Sequence, residues 1–251
     1  MKNNVPLKKH VFAMYVENLS FSFSMSKDVC IVKDEKIVHH LKDVLRLKKG
    51  DFIYLFDKKI NIYGSLFFID KKTFYFEIIE KKENKDFQHK ILLYLPLLKK
   101  TALEDAIYNA TEMGVSEIQL IKTDHSQKSI TEHEFLRLEK MVIAACQQAK
   151  KFNIPHLKPL LSFQEIIEKK MENLNIWFDQ KGLSLFSLCS MLEKSKPKDL
   201  AIFIGPEADF SEQEKTKLLE ISEKYTLTPT VLRSVSAVTL SIGIIRSMMH
   251  D

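Results

Sequence analysis

Short apolar segments separated by polar turns in the first third of the chain predict a small β domain. Four short segments rich in aromatic and β-branched residues are separated by turns of Lys, Asp and Gly. They span residues 10–16, 51–56, 60–69 and 73–80. Apolar residues recur at helical spacing over residues 37–47. Several strands with one helix favour a small β-barrel over residues 1–80, and the polar residues 81–89 are typical of a linker.

Strand and helix patterns alternate from residue 90 to the end of the chain. The predicted strands are residues 91–98, 117–121, 175–178 and 200–204, and the predicted helices are residues 101–113, 132–150 and 234–249. This order is typical of an α/β fold with a mostly parallel sheet and helices on both faces. Ligands in such sheets bind beyond the carboxyl ends of the strands. We therefore expect a site in the segments that follow Phe178 and Ile204.

The composition indicates a globular protein that carries no structural metal or disulfide. Of the 251 residues, 45% are hydrophobic and 28% are charged. No apolar run is long enough to span a membrane, and the first residues do not match a signal peptide. We therefore expect a cytoplasmic protein without a membrane partner. Cys30, Cys146 and Cys189 are scattered and match no metal-ligand spacing, so free thiols and no metal site are expected.

The net positive charge lies entirely in the first third of the chain. Residues 1–89 contain 17 Lys and Arg against 12 Asp and Glu, whereas the remaining residues contain 21 of each. A phosphate-rich partner favours such a region through counterion release. A lysine-rich surface that only keeps the protein soluble explains the charge equally well.

Two segments near the C-terminus are candidates for chemistry. The strand ending at Ile204 continues into the tight turn Gly205-Pro206-Glu207, and Ser211 and Glu214 form a capping box for a helix. Residues 227–245 contain a turn, then Val231-Leu232-Arg233, then a helix rich in small residues. Taken alone, an ordinary capped helix and a tightly packed core helix explain both segments. A single glycine excludes a phosphate-binding P-loop.

Together these segments resemble the RsmE family of the SPOUT superfamily. Members of that family are S-adenosylmethionine-dependent methyltransferases that act on uridine N3 in 16S ribosomal RNA. Residues 39–51 are similar to the family's His…VLR…GD element, residues 99–129 to its ELGV-type turn and Thr-x-x-Ser, and residues 144–159 to its AAxxQ…VPxIxP segment. Five motifs in the same order are far more specific than any one of them.

The resemblance implies a PUA-like β-barrel over residues 1–80 and a SPOUT methyltransferase domain over residues 90–251. The second domain would end in a trefoil knot, which composition and periodicity do not predict. The loops of the knot would bind S-adenosylmethionine, largely through backbone groups. The implied cofactor-binding residues are Phe178, Asp179, Ile204, Gly205, Pro206, Glu207, Val231, Leu232, Ser234 and Ala237.

The reaction suggests further roles. Methyl transfer to a ring nitrogen depends mostly on positioning, but uridine N3 must also lose its proton. Arg233 is our candidate for the catalytic residue, because it adjoins the expected donor site; Glu207 more simply caps its turn. The candidate RNA-binding residues are Lys9, Lys42, Arg46, Lys48, Lys49 and His125.

The chain departs from the family at several positions. Ala208 and Asp209 stand where the family has two glycines, and His125 stands where it has arginine. Lys9-His10 replaces an early arginine, and the acidic residue expected after Arg233 is missing. These departures leave two alternatives open: a degenerate SPOUT protein that only binds RNA, or an enzyme for another RNA such as transfer RNA.

The expected partners are 16S ribosomal RNA within the small ribosomal subunit and a second copy of the chain. SPOUT enzymes commonly complete their sites across a dimer, so the resemblance implies a homodimer. Independently, the helix predicted at residues 234–249 is more apolar than packing on one sheet requires. Complete burial of that helix within its own chain is the competing interpretation.

Overall fold

A computed structural model describes residues 11–19, 28–70, 72–127, 129–169 and 174–249. The described residues do not include Lys9 or most of the N-terminal stretch that does not match a signal peptide. The chain divides into two compact units. The first comprises Met1–Lys85 with Gln147–Asn153, and the second comprises Asp86–Cys146 with Ile154–Asp251.

The first unit is built on a five-stranded sheet. Its strands are β1 (Phe12–Tyr15), β2 (Val29–Val32), β3 (Phe52–Phe56), β4 (Ile60–Ile69) and β5 (Phe74–Glu83). They lie in the order β1-β3-β4-β5-β2, with β1 parallel to β3 and the other pairs antiparallel. One face of β3 and β4 covers a hydrophobic core that includes Ile53, Leu55, Ile62 and Leu66.

One helix closes this core. Helix α1 (Glu35–His39) begins after Asp34, whose carboxylate accepts the backbone N–H groups of Lys36 and Ile37, and it continues as a π-helical turn over His40–Val44. Val38 and Leu41 are buried against the sheet. The helix expected at residues 37–47 is thus present but starts and ends earlier.

Strand β5 is longer than its apolar pattern suggests. Residues 81–83, which the sequence places in a linker, pair with Ile60–Ile62 of β4. Their side chains are polar and exposed because backbone hydrogen bonds, rather than burial, hold this end of the strand. The first three residues of the predicted linker therefore belong to the sheet.

The second unit is a parallel α/β fold, as expected. Its six strands are β6 (Lys90–Pro96), β7 (Glu117–Lys122), β8 (His156–Ser162), β9 (Leu174–Leu183), β10 (Asp199–Phe203) and β11 (Glu223–Tyr225). Their order is β11-β9-β10-β6-β7-β8, and all pairs are parallel. The helices are α2 (Lys100–Glu112), α3 (Glu132–Ala149), α4 (Phe163–Glu168), α5 (Leu185–Ser195), α6 (Glu212–Ile221) and α7 (Ser234–Met248).

The last helix lies largely within its own chain. Val238, Ile242 and Ile245 of α7 are fully buried, and α7 packs against α2. Much of its apolar surface is therefore covered without a second copy. Among its apolar residues, Met248 is 39% exposed.

The described residues show neither a membrane-spanning helix nor a cluster of side chains suited to a metal ion. No described helix is both long enough and apolar enough to cross a bilayer. No group of three or more His, Cys, Asp or Glu side chains within the described ranges is placed to hold a metal. The three cysteines are free thiols, and burial raises the pKa of Cys30 to about 12.

Candidate functional site

One cavity of about 540 Å³ lies at the carboxyl ends of β9 and β10. All ten residues proposed from the sequence as cofactor-binding line it: Phe178, Asp179, Ile204, Gly205, Pro206, Glu207, Val231, Leu232, Ser234 and Ala237. They come from three separate segments of the chain, which the parallel sheet brings together at one edge. Helix α6 and β11 add further walls.

The end of β9 is fastened to the segment after β11. The hydroxyl of Thr226 donates to the carbonyl of Asp179 at 2.8 Å, and it accepts the N–H of Gly182 at 2.9 Å. The N–H of Thr226 donates to the carbonyl of Leu183 at 2.7 Å. Because these are mostly backbone groups, the shape of this wall depends on the close approach of two segments at Gly182: the end of β9 and the residues after β11.

The loop after β10 is fastened to the start of α7 and to the loop after β6. The Ser234 hydroxyl donates to the carbonyl of Gly205 at 2.8 Å. The backbone N–H of Lys99 donates to a carboxylate oxygen of Glu207 at 3.2 Å. Glu207 therefore links the loop after β10 to the loop after β6. A side chain at Gly205 would meet Asp209 Oδ1 at 3.3 Å.

Asp209 holds a backbone conformation that usually favours glycine. Its φ is +66°, in the left-handed region. The side chain offsets part of this strain, because Oδ1 accepts the N–H of Phe210 at 2.8 Å and Oδ2 lies 2.9 Å from Lys215 Nζ. Hydrogen bonds to Asp209, and then to Glu212, raise the pKa of Lys215 above its usual value.

Glu214 and His125 fix the other side of the same loop. Glu214 is 5% exposed, and its carboxylate accepts the backbone N–H groups of Asp124 and Ser211. The ring nitrogen Nδ1 of His125 lies 2.8 Å from the carbonyl of Asp209. Since a carbonyl only accepts, this nitrogen carries the proton. His125, proposed from the sequence as an RNA contact, thus lies against the loop after β10.

Several lining residues are not apparent from the sequence. Trp177 is 1% exposed, and Lys224 Nζ lies 5.3 Å from the centre of its ring and 3.9 Å from Asp179 Oδ1. Parallel pairing of β9 with β11 sets Trp177 opposite Lys224. The cavity therefore combines apolar side chains, backbone groups and charged side chains, which suits a small ligand with apolar and polar parts.

Family comparison assigns both regions of the chain. Residues 85–246 match the model of an RNA methyltransferase domain, and residues 33–79 match that of an RNA methyltransferase PUA domain. The chain belongs to this RNA methyltransferase family. The family resemblance inferred from the five motifs is confirmed.

Named relatives cover most of the RNA methyltransferase chain. It is 29% identical over 233 residues to ribosomal RNA small subunit methyltransferase E 2 of Borreliella burgdorferi, covering 88% of this chain and 92% of that protein. It is 26% identical over 212 residues to ribosomal RNA small subunit methyltransferase E of Rickettsia conorii, covering 83% and 86%.

A solved structure has the same fold. The crystal structure of ribosomal RNA small subunit methyltransferase E from Neisseria gonorrhoeae, bound to S-adenosyl methionine, aligns with a TM-score of 0.80 over 95% of this chain and 98% of that one. The two sequences are 20% identical. The α/β fold with its small N-terminal PUA-like domain is thereby confirmed, and the trefoil knot stays a prediction.

The described residues predicted for catalysis and for RNA binding lie outside the lining of the cavity. Arg233 precedes α7, is exposed, and does not line the cavity, although Leu232 and Ser234 on either side of it do. Four further predicted residues are exposed in the first unit: Lys42 lies within the π-helical turn, and Arg46, Lys48 and Lys49 lie between that turn and β3. Arg46 has a φ of +52°, which ends the helical turn.

Proposed function

We propose that this chain transfers a methyl group from S-adenosylmethionine to N3 of a uridine in 16S ribosomal RNA. The observation that carries the proposal is that all ten residues implied for donor binding line one cavity at the ends of β9 and β10. Membership of the RNA methyltransferase family and the names of the relatives support the same reaction. The cytoplasm is its proposed place of action.

The geometry suggests how the reaction is divided between the residues. The cavity would hold and orient the donor, which is the main requirement of an in-line methyl transfer. Trp177 is buried beneath Lys224 and, together with the bonded loops, keeps the wall of the cavity in place. The exposed guanidinium of Arg233 would face the incoming RNA and stabilise the uridine anion formed when N3 loses its proton.

Loss of the Arg233 guanidinium is expected to reduce turnover without loss of donor binding. For Arg233→Ala we expect kcat to fall by about 100-fold, because one electrostatic contact to the developing charge is removed. The Kd for S-adenosylmethionine, measured by calorimetry, should stay within about 3-fold of wild type, since Arg233 does not line the cavity. Unchanged turnover would remove Arg233 from the catalytic role.

Two experiments separate the proposed function from its alternatives. Calorimetry with S-adenosylmethionine distinguishes the enzyme from a degenerate RNA-binding protein, which would give no binding heat. Mapping N3-methyluridine in cells that lack the gene distinguishes 16S ribosomal RNA from another RNA. If the modification disappears from transfer RNA and not from the small subunit, the substrate assignment is wrong.

Position 209 is expected to tolerate glycine better than alanine. Asp209→Ala keeps the left-handed strain but loses the contacts to Lys215 and Phe210, so we expect a cost of about 1–2 kcal/mol in unfolding free energy and weaker donor binding. The double variant Ala208→Gly with Asp209→Gly removes the strain and should bind the donor within about 3-fold of wild type. Calorimetry with thermal melting measures both. A large affinity loss in the glycine variant alone would contradict this account of the loop.

We also propose that the protein acts as a homodimer through its second unit. Three apolar side chains near the cavity's segments are well exposed: Phe186 at 83%, Val231 at 79% and Leu183 at 59%. A charge at Ile245 would not test association, because that residue is fully buried in its own chain. Phe186→Glu instead tests association, and sedimentation at micromolar concentration should show a wild-type dimer. A wild-type monomer would refute it.

A further inference from the structure

Among the described residues of the first unit, three phenylalanine side chains are exposed. Phe52, Phe67 and Phe68 are 42%, 54% and 52% exposed, respectively. Single exposed apolar residues are common on protein surfaces, but neighbouring large ones usually mark a contact surface. We call the set Phe52, Tyr54, Tyr63, Phe67 and Phe68 the aromatic face.

Strand alternation and a β-bulge place these side chains together. Ile53, Leu55, Ile62 and Leu66 point into the core, so their neighbours along β3 and β4 point outward. The register of β4 against β5 shifts between Leu66 and Phe68. A bulge of this kind puts two consecutive side chains on one side of the sheet, and Phe68 accordingly contacts the ring of Tyr75 at 5.6 Å rather than the core.

The rings are already ordered by contacts with one another. The ring centres of Phe52 and Tyr63 are 5.6 Å apart with planes 17° apart, and those of Tyr63 and Tyr54 are 4.8 Å apart. Phe52 pairs with Ser65, so Phe67 occupies the next outward position of β4 beyond Ser65. Little side-chain entropy would be lost when a further ring stacks on this set.

Positive charge accompanies the aromatic face. Lys49 Nζ lies 5.2 Å from the centre of the Phe67 ring, and Lys48 is exposed beside it in the same turn. The whole net charge of +5 falls within residues 1–89. Stacking rings next to lysines are the combination by which proteins hold single-stranded nucleic acid, since bases stack on the rings while lysines contact phosphates. An apolar protein partner would not need these cations.

We propose that the aromatic face binds unpaired bases of the RNA substrate by stacking, while Lys48 and Lys49 contact the adjoining phosphates. The proposal rests on the proposed function only in taking RNA as the substrate. A duplex in the A-form keeps its bases stacked inside, so the aromatic face should favour single strands. Base stacking tolerates sequence changes, and the face therefore adds affinity rather than choice of target nucleotide.

Substitution of phenylalanine by leucine tests stacking without removing the apolar surface. Binding of a fluorescent oligouridylate of about ten nucleotides, and of a duplex of equal length, is measured by anisotropy on the full chain. For Phe52→Leu with Phe67→Leu we expect single-strand affinity to fall by about 10-fold or more, with little change for the duplex. The slope of log affinity against log salt should stay unchanged, because the phosphate contacts remain.

Two matched variants complete the test. The double variant Lys48→Ala with Lys49→Ala should bind both the single strand and the duplex more weakly, and its log affinity should depend less steeply on log salt. Val44→Ala, at a non-aromatic residue that is 57% exposed in the same unit, should change neither. Wild-type affinity in the double leucine variant, or a face that instead supports self-association in sedimentation, would overturn the proposal. S-adenosylmethionine plays no part in these measurements, so failure of the aromatic face and failure of the proposed function give different results.

Discussion

Gly182→Ala is expected to weaken donor binding strongly while leaving the first unit intact. A methyl group at Gly182 would lie 2.3 Å from the carbonyl carbon of Tyr225 and 2.6 Å from its Cα. Backbone atoms cannot give way like a flexible side chain, so β11 must move away from β9. Thr226, Leu227 and Thr228 follow directly and line the cavity. A misplacement of about 1 Å costs a positioned reaction about 100-fold in rate, and we expect the affinity for the donor to fall by a similar factor.

The matched control is Gly50→Ala in the other unit. Gly50 has a φ of +86°, but nothing lies within 4 Å of the position its side chain would take. This substitution adds backbone strain of about 1 kcal/mol without a clash, and the affinity for S-adenosylmethionine should not change. Calorimetry compares the two variants directly. If Gly182→Ala binds the donor as wild type does, the close approach of β9 and β11 does not shape the site.

Strong apolar periodicity was enough to predict the central elements of the fold. The predicted strand at residues 117–121 corresponds to β7 (Glu117–Lys122), and the helix predicted at residues 132–150 to α3 (Glu132–Ala149). Both are buried on at least one side, so their sequences carry a clear pattern. The central strands and the helices that cover them are the part of the fold most open to prediction.

Elements at the edges of the sheet could not be predicted in the same way. Strand β8 (His156–Ser162) has no fully buried residue and contains Pro159, which local pattern alone would assign to a loop. Strand β11 has three residues and exists because it pairs with Ile176, Trp177 and Leu183 of β9. Long-range pairing, and not local preference, decides these segments.

The residues of the candidate site likewise fall into two groups: those that local sequence predicts and those that only long-range pairing brings together. Its glycine turn and the start of α7 could be found from local sequence because tight turns and small residues are visible there. The contributions of Trp177 and Lys224 could not, since they meet only through the pairing of β9 with β11. The ion pair of Asp209 with Lys215 likewise explains a departure from the family's two glycines that sequence alone left unexplained.

Arg246 fixes the last helix to two distant parts of the second unit. Its two terminal nitrogens donate to the carbonyls of His89 and Gly114, each at 2.8 Å, and its guanidinium lies 3.9 Å from the centre of the Phe87 ring. Gly114 ends α2 with a φ of +92°, and His89 directly precedes β6. Arginine suits this position because its planar fork reaches both carbonyls at once while stacking on a ring.

Arg246→Met is accordingly expected to destabilise the second unit by about 2–4 kcal/mol, since two charge-assisted hydrogen bonds are lost while the apolar stem is kept. Arg246→Lys should fall between this variant and wild type, because a single ammonium cannot reproduce the fork. Urea unfolding followed by fluorescence of Trp177, the single tryptophan, reports on the second unit alone.

Arg137→Met is the control: its side chain is 50% exposed in an ion pair with Glu104, and its loss should cost less than about 1 kcal/mol. Equal costs for the two methionine variants would show that Arg246 does not hold α7 in place.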